Sequence, residues 1–275
     1  MNHQNKVHKK FENKSSNSFQ RDGGEKQYYQ KKVDELMIFG VHAVIEAIKA
    51  EKEINKIIIS KGINKELFFE LKEVTAGKNY FIQFVPVEKL DKLTQENHQG
   101  VVAYISPVTY YNFESLVDEA IEKDEKKCFL FLDRLTDVRN FGAIARTAEC
   151  MGVDAIVIPS KSSVQVTADA IKTSSGALNR MKVCKSDVLK DSVFYAQQSE
   201  FRIIACTEKT AIPLHEANFR GNVVIIMGSE EDGISQDLLK MADIKAKIPM
   251  KGEISSLNVG VATGMVLYER LRQRI

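Results

Sequence analysis

The stretch Lys247-Ile248-Pro249-Met250-Lys251-Gly252-Glu253-Ile254-Ser255-Ser256-Leu257-Asn258-Val259-Gly260-Val261-Ala262-Thr263-Gly264 decides how the chain is read. Ile244 to Ile248 reads as an apolar strand that stops at Pro249. A loop of small residues follows, and Ser256 and Asn258 stand at the mouth of a helix expected over Val259 to Leu271. A helix mouth offers unpaired backbone N–H groups and the positive end of the peptide dipole. Ser and Asn in that place ordinarily cap the helix. A cap accounts for one of them, but not for both together with the whole loop.

Two further segments share this plan of apolar strand, polar or glycine loop and helix start. One is Ile225-Ile226-Met227-Gly228-Ser229-Glu230-Glu231-Asp232-Gly233-Ile234-Ser235. The other runs from Asp133 through Asn140-Phe141-Gly142-Ala143 to Arg146-Thr147-Ala148. In an open α/β sheet, ligands bind beyond the carboxyl ends of the strands. Three such loops imply one composite site.

Outward from these loops, residues 128–275 alternate between strands and helices. Strands are expected at Cys128–Leu132, Ala155–Ile158, Met181–Cys184, Arg202–Ala205, Val223–Met227 and Ile244–Ile248. Helices are expected at Asn140–Met151, Val166–Ser174, Val188–Gln197, Ser235–Met241 and Val259–Leu271. Runs such as Val-Val-Ile-Ile-Met lack alternation, as strands covered on both faces do. The expectation is a parallel sheet with helices on both sides. Residues 36–107 read as a smaller α/β domain in the order α-β-α-β-α-β, giving a sandwiched sheet. Within it, Asn97-His98-Gln99-Gly100 reads either as a turn or as a phosphate contact. Residues 108–127 form a linker and a helix, Phe113 to Lys123, whose Phe113, Leu116, Val117, Ala120 and Ile121 follow helical spacing and should dock on the next domain. Residues 1–35 are polar and are expected to be disordered, because they bury too little apolar surface to offset ordering.

The chain has 275 residues, long enough for two domains. No apolar run reaches the roughly 18 residues that span a membrane, and no apolar signal core opens the chain, so a cytoplasmic protein is expected. Cys128, Cys150, Cys184 and Cys206 make no C-x-x-C pair and read as small buried hydrophobes in a reducing compartment. The net charge of +2 hides a gradient: residues 1–32 carry a local +5 and the remainder −3. A basic tail on a weakly acidic body suits RNA binding, and suits a merely soluble tail almost as well.

Several chemistries are poorly supported. There is no G-x-G-x-x-G after the first strand, no P-loop, no G-x-S-x-G elbow and no Cys–His arrangement. Glu230, Glu231 and Asp232 lack the alternating spacing of a calcium loop, so no metal is expected. What remains is Asn140, Arg146, Glu230, Ser256 and Asn258, beside glycines that admit a ligand close to the backbone. Asn140 is placed to cap its helix, and Arg146 offers a fork suited to phosphate. A surface Arg beside a capping Asn is the plainer reading of those two.

Taken together, N-x-G-A-I-x-R-T-A, G-S-E-x-x-G-I-S and I-P-M-x-G-x-x-S-S-L-N-V-x-V-A-x-G resemble the three motifs of SpoU/TrmH-type RNA ribose 2′-O-methyltransferases of the SPOUT superfamily, in the expected order over about residues 128–275. Residues 36–107 resemble the small ribosomal-protein-like RNA-binding domain of many members. The pair is most similar to the 23S rRNA guanosine-2′-O-methyltransferase subgroup. The resemblance implies a C-terminal trefoil knot with S-adenosylmethionine (SAM) held mostly by backbone at Gly228, Ile248 and Leu257. It also implies a homodimer in which the Arg146 helix and the last helix pack across the two copies, with Gly260 and Gly264 permitting close approach. Attack by a ribose 2′-oxygen on the SAM methyl would use Arg146 at the adjacent phosphate or developing alkoxide, oriented by Glu230. Asn140, Glu230, Ser256 and Asn258 would hold Arg146 and the ribose in place. Val138, Glu231 and Gly260 stand where the family commonly has proline, glycine and serine. A tRNA ribose methyltransferase, a non-catalytic RNA-binding ribosome-assembly protein and a small-molecule α/β enzyme are the competing readings. The two-domain layout favours rRNA, because tRNA members usually lack this N-terminal domain.

Overall fold

The computed structural model describes residues 37–253 and 256–275, so the expectation for the tail lies outside the described residues. Residues from Leu36 onward form one compact unit built on two sheets.

The first sheet has four strands. In chain order the elements are β1 (Met37–Phe39), α1 (Val41–Lys49), β2 (Ile54–Ser60), α2 (Lys65–Thr75), β3 (Ile82–Val85), α3 (Val87–Asp91) and β4 (Val101–Ile105). Their order is β1-β4-β2-β3, with β4 antiparallel to both neighbours and β2 parallel to β3. β1 was not expected, because three residues carry no period. On one face Val41, Val44, Ile45 and Ile48 of α1 and Leu71 of α2 cover Ile57, Ile59, Val101 and Ala103. On the other, Leu90 of α3 packs with Ile58, Val85 and Val102. Helices thus cover both faces, as the sandwiched reading requires. Asn97–Gly100 forms a turn fixed by its own side chains. Gln99 Oε1 accepts from Val41 N at 3.1 Å and so caps α1, while His98 takes Gly100 N on Nδ1 and lies 2.9 Å from Asp91 through Nε2.

Next comes α4 (Phe113–Glu122), capped by Asn112, whose Oδ1 accepts from Ser115 N at 2.7 Å. Its docking is as expected: the Phe113 ring meets Phe129 and Phe131 edge-on, each at 5.1 Å between centroids.

The second sheet has six strands, β5 (Cys128–Leu132), β6 (Ala155–Pro159), β7 (Lys182–Ser186), β8 (Arg202–Cys206), β9 (Val223–Met227) and β10 (Ile244–Ala246). All pairs are parallel, in the order β7-β6-β5-β9-β8-β10. Parallel strands need crossovers, and these put helices on both faces. One face carries α5 (Val138–Cys150), α6 (Ala168–Thr173) and α9 (Val259–Arg272); the other carries α4, α7 (Leu189–Gln198) and α8 (Gln236–Met241). The strand order turns back between β5 and β9, where a crevice opens at the carboxyl ends.

α9 leaves the edge strand β10 yet packs on α5, the helix that follows the central strand β5. Small residues permit this. A Cβ built on Gly260 would lie 3.7 Å from Ala143 Cβ, and one on Gly264 would lie 3.6 Å from Thr147 Cγ2. The two glycines thus permit the close approach of α9 to α5 within one chain.

Two further expectations change. α5 begins at Val138, and Asp137 is its N-cap, accepting Asn140 N at 2.7 Å. Asn140 is thereby inside the first turn and its side chain is free for other work. Of the cysteines, Cys128 and Cys184 are buried but Cys150 is exposed on α5, since position 150 falls on the outer face.

Gly142 sets how closely α5 meets α6. A Cβ there would stand 2.6 Å from Thr173 Cβ and 3.0 Å from Ser174 N, neither a flexible side-chain end. Gly142→Ala should lower stability by about 1–3 kcal/mol through overpacking. Urea unfolding measures this, and an unchanged midpoint contradicts the packing argument.

Candidate active site

Three strand ends at the crevice enclose a cavity of about 350 Å³, within the size range of small-ligand pockets. From β8 come Cys206, Thr207, Glu208 and Lys209; from β9, Met227 and the loop Gly228–Gly233; from β10, Ala246, Ile248, Met250, Ser256 and Leu257, closed by Val259 and Ala262 of α9. The walls are apolar on the Met227, Ile248, Leu257 and Val259 side and carboxylate-bearing at Glu208, Glu230, Glu231 and Asp232. Gly228, Ile248, Leu257, Glu230 and Ser256 all line this cavity, although sequence reading drew them from two separate loops.

Gly228 is dictated by geometry. The β9 loop folds back on it through Gly233 N, which donates to Ser229 O at 3.0 Å, and Asp232 N, which donates to Ser229 Oγ at 3.2 Å. A Cβ on Gly228 would lie 2.1 Å from Gly233 C, an impossible contact with backbone.

The rim is held by Glu230. Its Oε1 accepts from Asn258 Nδ2 at 2.8 Å, Asn140 Nδ2 at 3.1 Å and Val259 N at 3.4 Å. Asn258 Nδ2 also reaches Asn140 Oδ1 at 3.0 Å, while its own Oδ1 caps α9 by accepting from Gly260 N at 3.0 Å and Val261 N at 3.3 Å. One carboxylate thus ties the loops after β9 and β10 to the first turn of α5. The negative charge also sits at the N-terminus of α9, where the peptide dipole favours it.

Arg146 is not part of this knot of bonds. It is exposed on α5 and, among the described residues, makes no hydrogen bond or ion pair with Glu230. The expected Arg146–Glu230 pair is therefore absent. The reason is geometric: six residues separate Arg146 from Asn140, about 9 Å along a helix axis and roughly 120° around it.

The segment after β5 does not line the cavity but braces it, which sequence reading missed. Asp133, nearly buried, accepts Ser235 N on Oδ2 at 2.7 Å. Arg134 donates from Nη2 to Gly233 O at 3.0 Å and lies 3.3 Å from Asp232 through Nη1. Arg134 adopts φ +59°, a costly backbone for a non-glycine residue, and the ligation of the β9 loop maintains it. The signal was an Asp-Arg pair directly after five apolar residues. The Cys206–Lys209 wall was missed too; its only signal was its place at a strand end. Burial pushes the Cys206 thiol up to about 12, so it faces the cavity as a neutral group. Among the described residues, no cluster of His, Cys, Asp or Glu could hold a metal ion.

Known proteins share this chain's sequence pattern and fold. Residues 127–268 match the SpoU rRNA Methylase family, and residues 37–111 match the family described as RNA 2′-O ribose methyltransferase substrate binding. A Staphylococcus saprophyticus protein assigned to the TrmH family of tRNA/rRNA methyltransferases is 34% identical over 242 residues, 88% of this chain and 97% of its own length. In fold, the chain resembles an AdoMet-bound rRNA methyltransferase from Sinorhizobium meliloti, at 20% identity and TM-score 0.57, covering 90% of this chain and 91% of that one. The A. aeolicus TrmH/SpoU tRNA modifying enzyme is 28% identical at TM-score 0.50, covering 59% of this chain and 84% of that one.

Asn258 both caps α9 and engages Glu230, so Asn258→Ala should cost about 1–2 kcal/mol. Thermal or urea unfolding checks this. A loss no larger than a few tenths of a kcal/mol would show that the rim is not held this way.

Proposed function

The chain belongs to the SpoU/TrmH family of SAM-dependent RNA ribose 2′-O-methyltransferases, and we propose that it methylates a guanosine ribose of 23S rRNA. The observation that carries the reading is the cavity where three strand ends meet, walled by a glycine that tolerates no side chain and rimmed by the Glu230–Asn140–Asn258 cluster. In this reading residues 36–107 are the RNA substrate-binding domain, 108–127 the linker and docking helix, and 128–275 the methyltransferase domain. The two-domain layout supports a ribosomal target over tRNA. A cytoplasmic location goes with that substrate, and no described helix is long and apolar enough to cross a membrane.

Gly228, Ile248 and Leu257 would hold SAM, mostly through their backbone groups. SAM supplies an electrophilic methyl group on a sulfonium sulfur. The protein aligns the ribose 2′-oxygen and eases loss of its proton. Asn140, Asn258 and Ser256 offer amide and hydroxyl groups to the ribose, and Glu230 fixes the two amides. Arg146 cannot act as a base, because a guanidinium is not deprotonated in proteins. Its unengaged fork binds the adjacent phosphate or the developing alkoxide, and the proton passes to a phosphate oxygen or to water. The neutral Cys206 thiol is a poor nucleophile, so it does not compete for the methyl.

Arg146 lies outside the cavity wall of its own chain, which fits a homodimer in which it serves the partner's cavity. A surface for that contact runs along α9, where Val261, Met265 and Tyr268 are 54%, 47% and 59% exposed at helical spacing. The return of α9 from β10 to α5 is read as the threading of the trefoil knot.

Mapping ribose methylation on total RNA from cells with and without the protein tests the substrate; loss of one 2′-O-methylguanosine in 23S rRNA is the expected outcome, and a site lost from tRNA overturns it. Arg146→Ala should lower kcat by about 10²–10³, the usual cost of one lost donor to developing charge. Arg146→Lys, which keeps charge but not the fork, should remain at least about tenfold impaired. SAM affinity by calorimetry should hold in both, and full activity of the lysine variant contradicts the assigned role.

A further inference from the structure

Asn55 interrupts the apolar run of β2 and is only 6% exposed. A buried amide is costly unless its bonds are made. Every side-chain partner of Asn55 lies outside its own sheet. Its Nδ2 donates to Val166 O at 2.8 Å, in the segment leading to α6. Its Oδ1 accepts from Tyr110 Oη at 2.9 Å and from Lys185 Nζ, on β7, at 3.0 Å. The Tyr110 hydroxyl in turn accepts from Val166 N at 3.3 Å, and Lys185 Nζ lies 3.8 Å from the Tyr110 ring centroid. The next residue, Tyr111, donates from its backbone to Val183 O at 2.9 Å and pairs with Cys184 on the edge of the large sheet. The linker between the two sheets is thus stitched down rather than slack. Burial lowers Lys185 to about 8, partly offset by Glu53, so the ammonium is held in a place that disfavours it.

We propose that Asn55, Tyr110 and Lys185 form a polar latch that mounts the small domain on the methyltransferase domain in one orientation, and so act as positioning residues for RNA. This rests on the reading that the small domain binds RNA. An apolar side chain at position 55 would bury equally well but would accept many orientations; three directional bonds to three separate segments accept one. Two RNA-contacting sites on a fixed mount present the target ribose at the cavity in a single geometry. On a loose mount, each encounter must also order the domains, and RNA affinity falls while the chemical step is untouched. The latch also touches the segment that leads into α6, which packs into Gly142 of α5, the helix bearing Asn140 and Arg146.

The test uses the full chain with exposed Cys150 replaced by serine and spin labels at Glu73→Cys and Lys190→Cys, positions exposed on α2 and α7. The parent should give one narrow distance distribution, and Asn55→Ala and Lys185→Met should each broaden it. In the same variants KM for RNA should rise by roughly five- to tenfold, the scale of one ordinary hydrogen bond, with kcat and SAM affinity unchanged. The double variant should be no worse than the worse single, since the groups act as one unit. Tyr110→Phe, which keeps the ring over Lys185, should show a smaller rise and remains available if Asn55→Ala does not fold. A broad distribution in the parent, or variants with narrow distributions and unmoved KM, overturns the latch. If the parent transfers no methyl group to RNA, the functional reading fails while the distance distributions still judge the latch.

Discussion

One carboxylate oxygen, Oε1 of Glu230, holds the site together. It takes hydrogen bonds from two amide side chains and a helix-terminal N–H that belong to the starts of two different helices. Without it, the β9 loop would lose its bonds to the mouth of α9 and the first turn of α5, which would then be held to each other only by the Asn258–Asn140 bond and helix packing. The bonds are charge-assisted and placed at a helix N-terminus, so the same group satisfies orphan donors and draws the loops together. A neutral residue would meet the geometry with less of the energy.

The brace on the opposite side of the β9 loop follows the same logic. Asp133 and Arg134 grip Ser235, Gly233 and Asp232 from the end of β5, the strand hydrogen-bonded beside β9. The loop is therefore fixed from both flanks, by Glu230 toward the helices and by Arg134 toward the sheet, and its fold leaves Gly228 no room for a side chain. Cavity shape is then a consequence of backbone constraint more than of which side chains line it. This suits a ligand held mostly by main-chain groups.

Much of this was legible in the residues, for identifiable reasons. The unalternating apolar runs announced a parallel sheet, and glycine or polar loops at strand ends announced the crevice. The motifs placed Gly228, Ile248, Leu257, Glu230 and Ser256 in one cavity before any coordinates. What failed depended on direction rather than on proximity in sequence. Asn140 looked like a cap because it stands near a helix start, yet Asp137 begins the helix one turn earlier and turns Asn140 toward Glu230. Gly260 and Gly264 announced close packing correctly, and within the chain the neighbours they admit are Ala143 and Thr147 of α5. The three-residue β1 and the Cys206–Lys209 wall carry no periodic or compositional mark at all.

The absence of an Arg146–Glu230 pair changes what the arginine is for. An orienting carboxylate would have fixed the guanidinium but also neutralised it, weakening its hold on a phosphate. With Glu230 committed to Asn140 and Asn258, the full positive charge of Arg146 stays available on an exposed helix face. Under the proposed function the division is physically sensible: neutral amides, held by one anion, would position a neutral sugar, and a cation with no partner among the described residues would meet the charged backbone. Such a cation needs something else to fix it at the moment of reaction. Under the proposed function the RNA phosphate, and in a dimer the neighbouring copy's loops, would do so, and Arg146 would become competent only once the assembly and its substrate are in place.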